Sequence, residues 1–362
     1  MVAAEDGSVP RSGILVLGSL VMDRKFFAAG LLEHGAGRGE TVWSMERHLG
    51  GVGRNVATNA ARLGHPVTFT GLSGFGADAA ELEGALTRLG VVLHVRRVAD
   101  GVGRFDVTLD AHGSQISSRI ALPDPALGKA LCGPELAARI ATAGAVVMEG
   151  GLDEELLVWV SQQARRYAVP VCCLPTRQAD FGPRAHLLPR YDVLVLNTRE
   201  AGALLGQDPG ASTRPAEQAE LLMRRGPGVV VVTDAARGAA LAAAAAPGPV
   251  HLPAEPGVCT DDTGAGDALA SALVVALVAG RTPRDALAHG LRAARVTIAC
   301  PQSTCHALSS DLVRAAPKGR AARAGGADVH RERESARRPR GTSGRGCDQC
   351  AATAAWSTVD RG

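Results

Sequence analysis

Four short apolar runs constrain this chain more than any other feature: AVVMEGG (145–151), VPVCCLP (169–175), DVLVLN (192–197) and GVVVVT (228–233). A strand with one wet face alternates apolar and polar residues. One that is apolar at nearly every position is covered on both faces, as in a parallel sheet between helix layers. ILVLG (14–18) and PVTFTGLSG (66–74) read the same way. Helical segments fall between and after these runs, at 55–63, 78–89, 153–167, 214–225, 265–279 and 284–298. Asn55 is placed to cap the first, and Gly64 and Gly90 to stop the first two. The alternation predicts an α/β fold, a doubly wound and mostly parallel sheet flanked by helices. Ligands of such sheets bind at the carboxyl ends of the strands.

The rhythm breaks twice. Between 91 and 121, VVLHVRRV, RFDVTLD and SQISSRIAL are short alternating runs separated by Asp-Gly and His-Gly turns, which predict a small antiparallel β lid. From about 313 the chain turns Arg-, Gly- and Ala-rich, with almost no large apolar residue. It cannot bury enough surface to offset its ordering entropy. A domain over 13–312 and a disordered tail over 313–362 follow. Residues 317–346 carry nine Lys/Arg against three Asp/Glu, which leaves 30 basic and 33 acidic residues elsewhere. A mildly acidic body argues against nucleic acid as its partner. Aromatics are only 3%, so stacking platforms for single strands are not expected either. No apolar run is long enough to span a membrane. Glu5 and Asp6 interrupt any signal-peptide core. Eight scattered Cys read as reduced thiols in the cytoplasm.

Four segments carry chemistry. Asp261-Asp262-Thr263-Gly264-Ala265-Gly266-Asp267 is a glycine-rich turn opening a long apolar helix. Its backbone N–H groups and the helix field suit an anion, and its terminal Asp267 can accept a proton from an attacking hydroxyl. The competing reading is a helix cap that contains glycines. Gly50-Gly51-Val52-Gly53-Arg54-Asn55 offers close backbone approach and an amide with both donor and acceptor; a glycine-rich helix start is the alternative. Asn197 and Glu200 end an apolar strand as oxygen ligands suited to Mg²⁺, or form a capping box. Asp23 follows the first strand, as a ligand contact or a solvated carboxylate. A fifth pattern, Gly74-Phe75-Gly76-Ala77-Asp78-Ala79 with Asp100 downstream, fits a dinucleotide fingerprint; the expected antiparallel run after it counts against that. Cys347 and Cys350 have metal-ligand spacing without a second pair.

Taken in order, the early GxxxxD, GGxxxN before a helix ending RLG, NxxE and DxxGAGD resemble the ribokinase-like (PfkB-type) carbohydrate kinases, from about Gly13 to Leu312. The resemblance implies a small-molecule kinase using ATP and Mg²⁺, with lid strands mainly within 24–48 and 91–121 and a homodimer through the lid. It assigns Asp267 as base and the backbone of Gly264, Ala265 and Gly266 as anion hole. Asp23, Gly50, Gly51, Asn55 and Arg54 would hold a sugar or nucleoside. Asn197 and Glu200 would organise Mg²⁺. Thr233 and Gly238 resemble the nucleotide loop, with Asp261 and Thr263 beside it, and many members place a monovalent cation such as K⁺ nearby. Arg54 after the glycines is closest to pseudouridine kinases. Other sugar kinases of the family, or a non-catalytic sugar- or nucleotide-binding relative, are the alternatives. The chain departs from the family at Ala235, which replaces the first glycine of the nucleotide loop, and at Leu174, Leu196 and Asp262.

Overall fold

The computed structural model describes residues 11–34, 37–99, 101–110, 112, 115–176, 182–208 and 214–314. The expected tail, with Cys347 and Cys350, lies outside the described residues apart from its first two positions, and so does Asp100.

The chain begins with β1 (Ile14–Leu17), β2 (Val21–His34), β3 (Gly37–Gly50), α1 (Val52–Arg62), β4 (Val67–Ser73), α2 (Ala77–Thr87) and β5 (Val92–Arg97). It continues through β6 (Gly103–Leu109), β7 (Gln115–Ala121), α3 (Pro134–Thr142), β8 (Ala145–Glu149), α4 (Glu154–Arg166), β9 (Val171–Leu174) and β10 (Val193–Asn197). Then come α5 (Thr198–Leu205), α6 (Pro215–Met223), β11 (Val229–Thr233), β12 (Ala239–Ala243), β13 (Val250–Leu252), α7 (Ala265–Val278) and α8 (Pro283–Ile298).

A nine-stranded sheet has the order β13-β12-β11-β10-β9-β8-β1-β4-β5. It is parallel from β5 to β11, while β12 and β13 pair antiparallel. Ile14, Val16, Val147 and Val231 pack on one face with Val56, Leu82, Leu273 and Leu287, from α1, α2, α7 and α8. Leu15, Leu17, Val146 and Val230 pack on the other with Ile140, Val160, Leu204 and Leu222, from α3, α4, α5 and α6. Burial on both faces is why the apolar runs are nearly continuous. Helix α7 is buried from Ala268 to Ala276, which accounts for its being apolar all round.

The chain builds β4 and β5 on one side of β1 and β8 to β11 on the other. The order therefore reverses between β1 and β8, and a crevice opens at their carboxyl ends. Over it lies a second sheet of order β3-β2-β6-β7. It is antiparallel at β2–β3 and β6–β7, and parallel at β2–β6.

Three expectations are corrected. VVLHVRRV does not join the lid: as β5 it pairs parallel with β4 at the edge of the main sheet. Its alternation reflects an edge strand with one exposed face, a pattern that a lid strand shares. A parallel strand therefore does follow the Gly74–Ala79 turn. At that turn Arg97 donates to the Gly74 carbonyl and pairs with Glu83, on the wall of an open cavity of about 700 Å³ that Gly74, Phe75 and Gly76 also line. Second, β12 and β13 went unread, since AALAA (239–243) has neither β-branched nor aromatic residues. Third, the thiols are not all reduced. Cys132, Cys172 and Cys173 are free thiols, while Cys300 and Cys305 are bonded, because the chain doubles back in the tight turn after α8.

Candidate active site

At the crevice, β1 ends in Gly18-Ser19 and β8 ends in Glu149. The Glu149 carboxylate is buried and accepts from Ser19 N at 2.9 Å, from Ser19 Oγ at 2.8 Å and from Gly53 N. This pins the start of α1 onto the end of β1. A Cβ on Gly53 would lie 2.6 Å from the Gly18 Cα, so only glycine permits the approach.

Helix α1 starts three residues earlier than expected, because Gly51 at φ +96° turns the chain out of β3 and occupies the cap position. Asn55 is therefore no cap. It is buried one turn into the helix, and its Nδ2 donates to Asp267 Oδ2 at 2.7 Å. Arg54 is also buried. It donates from Nε to the Gly50 carbonyl at 3.3 Å, and from its terminal nitrogens to Thr304 Oγ1 at 3.4 Å and Ser303 Oγ at 3.2 Å. Burial pulls its pKa down to about 10, against the pull of Asp23 and Asp267. It is thus a permanent positive charge at neutral pH, with its donors turned into the protein.

Asp23, on β2, packs against Gly50, where any side chain would overlap its carboxylate. Burial raises its pKa to about 7, opposed by Arg54 and Lys25. Lys25 shares that strand face, two residues on. Its Nζ reaches Asp261 Oδ2 at 2.9 Å, tying the lid to the DxxGAGD turn. Burial opposes ionisation of Asp261, yet hydrogen bonds from Thr263 and Lys25 hold its pKa below the usual range.

Asp267 lies in the first turn of α7, behind Gly264 at φ +81°. A Cβ on Gly264 would overlap the Ser303 carbonyl, whereas the space in front of Gly266 is open. The Ala265 N–H donates to the Asp262 carbonyl at 3.2 Å, while the open space in front of Gly266 meets the positive end of the helix. Burial raises the Asp267 pKa to about 7, with Glu149 and Asp23 adding to the rise and Asn55 and Arg54 opposing it.

Asn197 and Glu200 form the capping box. Asn197 Oδ1 accepts from Arg199 N and Glu200 N at 3.0 and 2.9 Å, and Glu200 Oε2 accepts from Asn197 N at 2.9 Å. Burial, with a repulsive contribution from Asp267, lifts the Glu200 pKa to about 7. Thr233 is the register partner of Asn197 on β11, and Gly238 closes the turn into β12. Ala235 stands in that turn at φ +45°, a left-handed conformation that costs a Cβ-bearing residue about 1 kcal/mol. Ala235→Gly is expected to stabilise the protein by up to about 1 kcal/mol and raise Tm by roughly 2–4 °C. Differential scanning calorimetry measures it, and an unchanged or lower Tm refutes the strain.

The structure thus brings Asp23, Gly50, Gly51, Arg54, Asn55 and Asp267 into one cluster, joined through Lys25 to Asp261 and Thr263. It sets Asn197, Glu200, Thr233 and Gly238 at the neighbouring strand ends. Glu149, Ser19, Lys25 and Ser303 were not singled out from sequence. For Glu149 the signal was available: it is the one charged residue in AVVMEGG. For Ser303 there was none.

A sheet covered by helices on both faces, with a β lid over its switch point and a glycine-opened helix end facing the crevice, defines an enzyme-like small-molecule site. The chain belongs to the pfkB family of carbohydrate kinases, whose model matches residues 11–308. It is 31% identical over 328 residues to the bifunctional protein HldE of Azorhizobium caulinodans, covering 87% of this chain and 63% of that protein. It therefore spans about three-fifths of the HldE proteins it matches. Mouse ribokinase is 27% identical over 272 residues, covering 72% of this chain and 80% of the relative. A carbohydrate kinase from Agrobacterium tumefaciens superposes with a TM-score of 0.70 at 26% identity, covering 83% of this chain and 95% of that one. An Arabidopsis thaliana ribokinase complexed with ribose and ATP shares the fold, with a TM-score of 0.71 at 22% identity over 84% and 98% of the two chains.

Proposed function

We propose that the protein is an ATP-dependent kinase that transfers the γ-phosphoryl group to a hydroxyl of a sugar or nucleoside. One observation carries the reading: a buried carboxylate, Asp267, held by Asn55 in the first turn of α7 beside open space and a positive helix end. Asp267 takes the proton of the acceptor hydroxyl. The backbone at Gly264, Ala265 and Gly266 faces the charge that grows on the transferring group. Asp23, Gly50, Gly51 and Asn55 contact the acceptor. Thr233, Gly238, Asp261 and Thr263 flank the nucleotide.

Mg²⁺ fits the charges present. Glu200 and Asp267 repel one another, and burial lifts both; a hard divalent cation offsets that repulsion. Asn197 and Glu200 would hold it through water or the second Glu200 oxygen, given that Asn197 Oδ1 and Glu200 Oε2 are committed to the capping box. The ion would neutralise phosphate charge. A monovalent cation at Asp261 fits less well, because Lys25 already supplies a positive charge there at 2.9 Å.

Pseudouridine is the narrowest acceptor reading. It rests on the GGVGRN segment alone, since the Arg54 donors are engaged by Gly50, Ser303 and Thr304. On the lid, Val42, Met45 and Ile120 are exposed, which favours a homodimer through that sheet. Among the described residues no helix is long and apolar enough to cross a membrane, and we place the protein in the cytoplasm, where ATP is at hand.

Coupled ADP release with ribose, fructose, adenosine, uridine and pseudouridine tests the reading. At least one acceptor is expected to stimulate ADP formation and appear as its phosphate ester. Binding of ATP and acceptor without any ester would identify a non-catalytic relative. Equal use of ribose and pseudouridine would dismiss the narrow reading alone.

A further inference from the structure

The two ends of the Asn55 amide have different partners. Nδ2 donates to Asp267, and Oδ1 lies 3.1 Å from Ser303 Oγ. Ser303 is buried in the loop 300–305 that follows α8, and the Cys300–Cys305 bond closes that loop. An Arg54 N–H donates to Ser303 Oγ at 3.2 Å and occupies one lone pair. The hydroxyl proton is therefore free to point to an acceptor, either Asn55 Oδ1 or the Leu49 carbonyl, each at 3.1 Å.

A carboxamide has two nearly isosteric orientations, and only a neighbour of fixed polarity selects one. An ionised Asp267 selects the NH₂ end by itself. Once the acid has taken up a proton, it donates as well as accepts and no longer discriminates. At that stage Ser303 is the group that tells the two ends of Asn55 apart. The Ser303 carbonyl also backs Gly264, so one loop braces both Asn55 and the start of α7.

We propose that Ser303 is a positioning residue for the base: by donating to Asn55 Oδ1 it keeps the amide NH₂ on Asp267 through the whole cycle. This rests on the reading of Asp267 as base.

The test is kcat against pH for Ser303→Ala and Ser303→Thr. Asp267 faces Arg54 and Asn55 on α1, Asp23 on β2, Glu149 on β8 and, across the crevice, Glu200 on α5. Arg54 and Asn55 lower its pKa, while Asp23 and Glu149 raise it. In Ser303→Ala, where the Asn55 bond is no longer held, the acid limb of kcat is expected to move to higher pH. The plateau should fall about tenfold, with KM for ATP unchanged. Ser303→Thr keeps the hydroxyl and is expected to restore both. Wild-type kcat and limb in Ser303→Ala overturn the proposal, as does a lower kcat on an unmoved limb, which a purely structural role would give. If the Thr variant does not fold, the Ala limb decides alone. If Asp267→Asn is fully active, the base reading falls and this proposal with it. If that variant is inactive and Ser303→Ala behaves as wild type, this proposal alone falls.

Discussion

Asp267→Asn is expected to lower kcat by about 10²–10⁴, the usual range for loss of a general base, with acceptor and ATP binding retained. Asparagine matches aspartate in shape but cannot take the acceptor proton. The wild-type rate should also decline as pH drops below about 7, where burial places the Asp267 pKa, because only the ionised carboxylate serves as base. The stability sign is opposite. A folded pKa raised from 3.8 means that the folded state holds the proton more tightly than the unfolded one. This contribution is fully present below about pH 4 and is lost as pH rises through about 7. The Asn variant lacks that dependence, so its stability should be flatter across the window while its activity is lost. Steady-state rates and urea titrations at several pH values measure both. A variant that turns over at the wild-type rate would remove Asp267 from the chemistry.

Glu149→Ala is expected to be the most destabilising single change at the crevice. Its carboxylate collects Ser19 N, Ser19 Oγ and Gly53 N, and Gly53 is packed on Gly18 with no room for solvent between their backbones. Removing the acceptor leaves buried donors unsatisfied, at about 1–3 kcal/mol each, and leaves a cavity. A net loss of about 3–5 kcal/mol follows, or roughly 6–20 °C in Tm for a domain of this size. Loss of turnover should accompany it even below the new Tm, because α1 carries Asn55. Glu149→Gln keeps one acceptor but points an amide NH₂ at a donor, and should fall between. A melting temperature for Glu149→Ala within 2 °C of wild type would show that water replaces the carboxylate.

The central sheet was legible because burial on both faces leaves a local mark: Val146, Val147 and Met148 are all apolar, since alternate residues enter opposite layers. The edge was not. Val92–Arg97 alternates whether it lies in a lid or on a sheet rim, and the choice rests on its pairing with β4, which is non-local. Within the site, motif glycines and carboxylates could be read because turns and helix starts constrain near neighbours. The direction of a side chain could not. Asn55 looked like a cap, and only the unread early start at Gly51 turns it toward Asp267. Arg54 looked available to a ligand, but its partners Ser303 and Thr304 lie some 250 residues away. Lys25 found Asp261 across a separation of 236 residues, and no local pattern encodes that pair.

The small sheet joins the body at four chain crossings: Gly18–Leu20, Gly50–Gly51, Val98–Val102 and Leu122–Asp124. Four tethers along one border leave a single easy degree of freedom, a swing about the line through them. Displacement in such a swing grows with distance from the axis. At about 3.3 Å per residue, Asp23 stands roughly 10 Å along β2 from the border, Lys25 roughly 17 Å, and the far end of the strand more than 40 Å. One rotation therefore carries the tip about four times as far as Asp23. The far end of the small sheet can lift while the carboxylate nearest the axis scarcely shifts. Lys25 lies between these extremes, so its bond to Asp261 parts early in the swing. On the proposed assignment of Asp23 to the acceptor and of the Asp261 turn to the phosphate, the lever arm of one strand sets an order of events, in which the acceptor is held before that turn is latched.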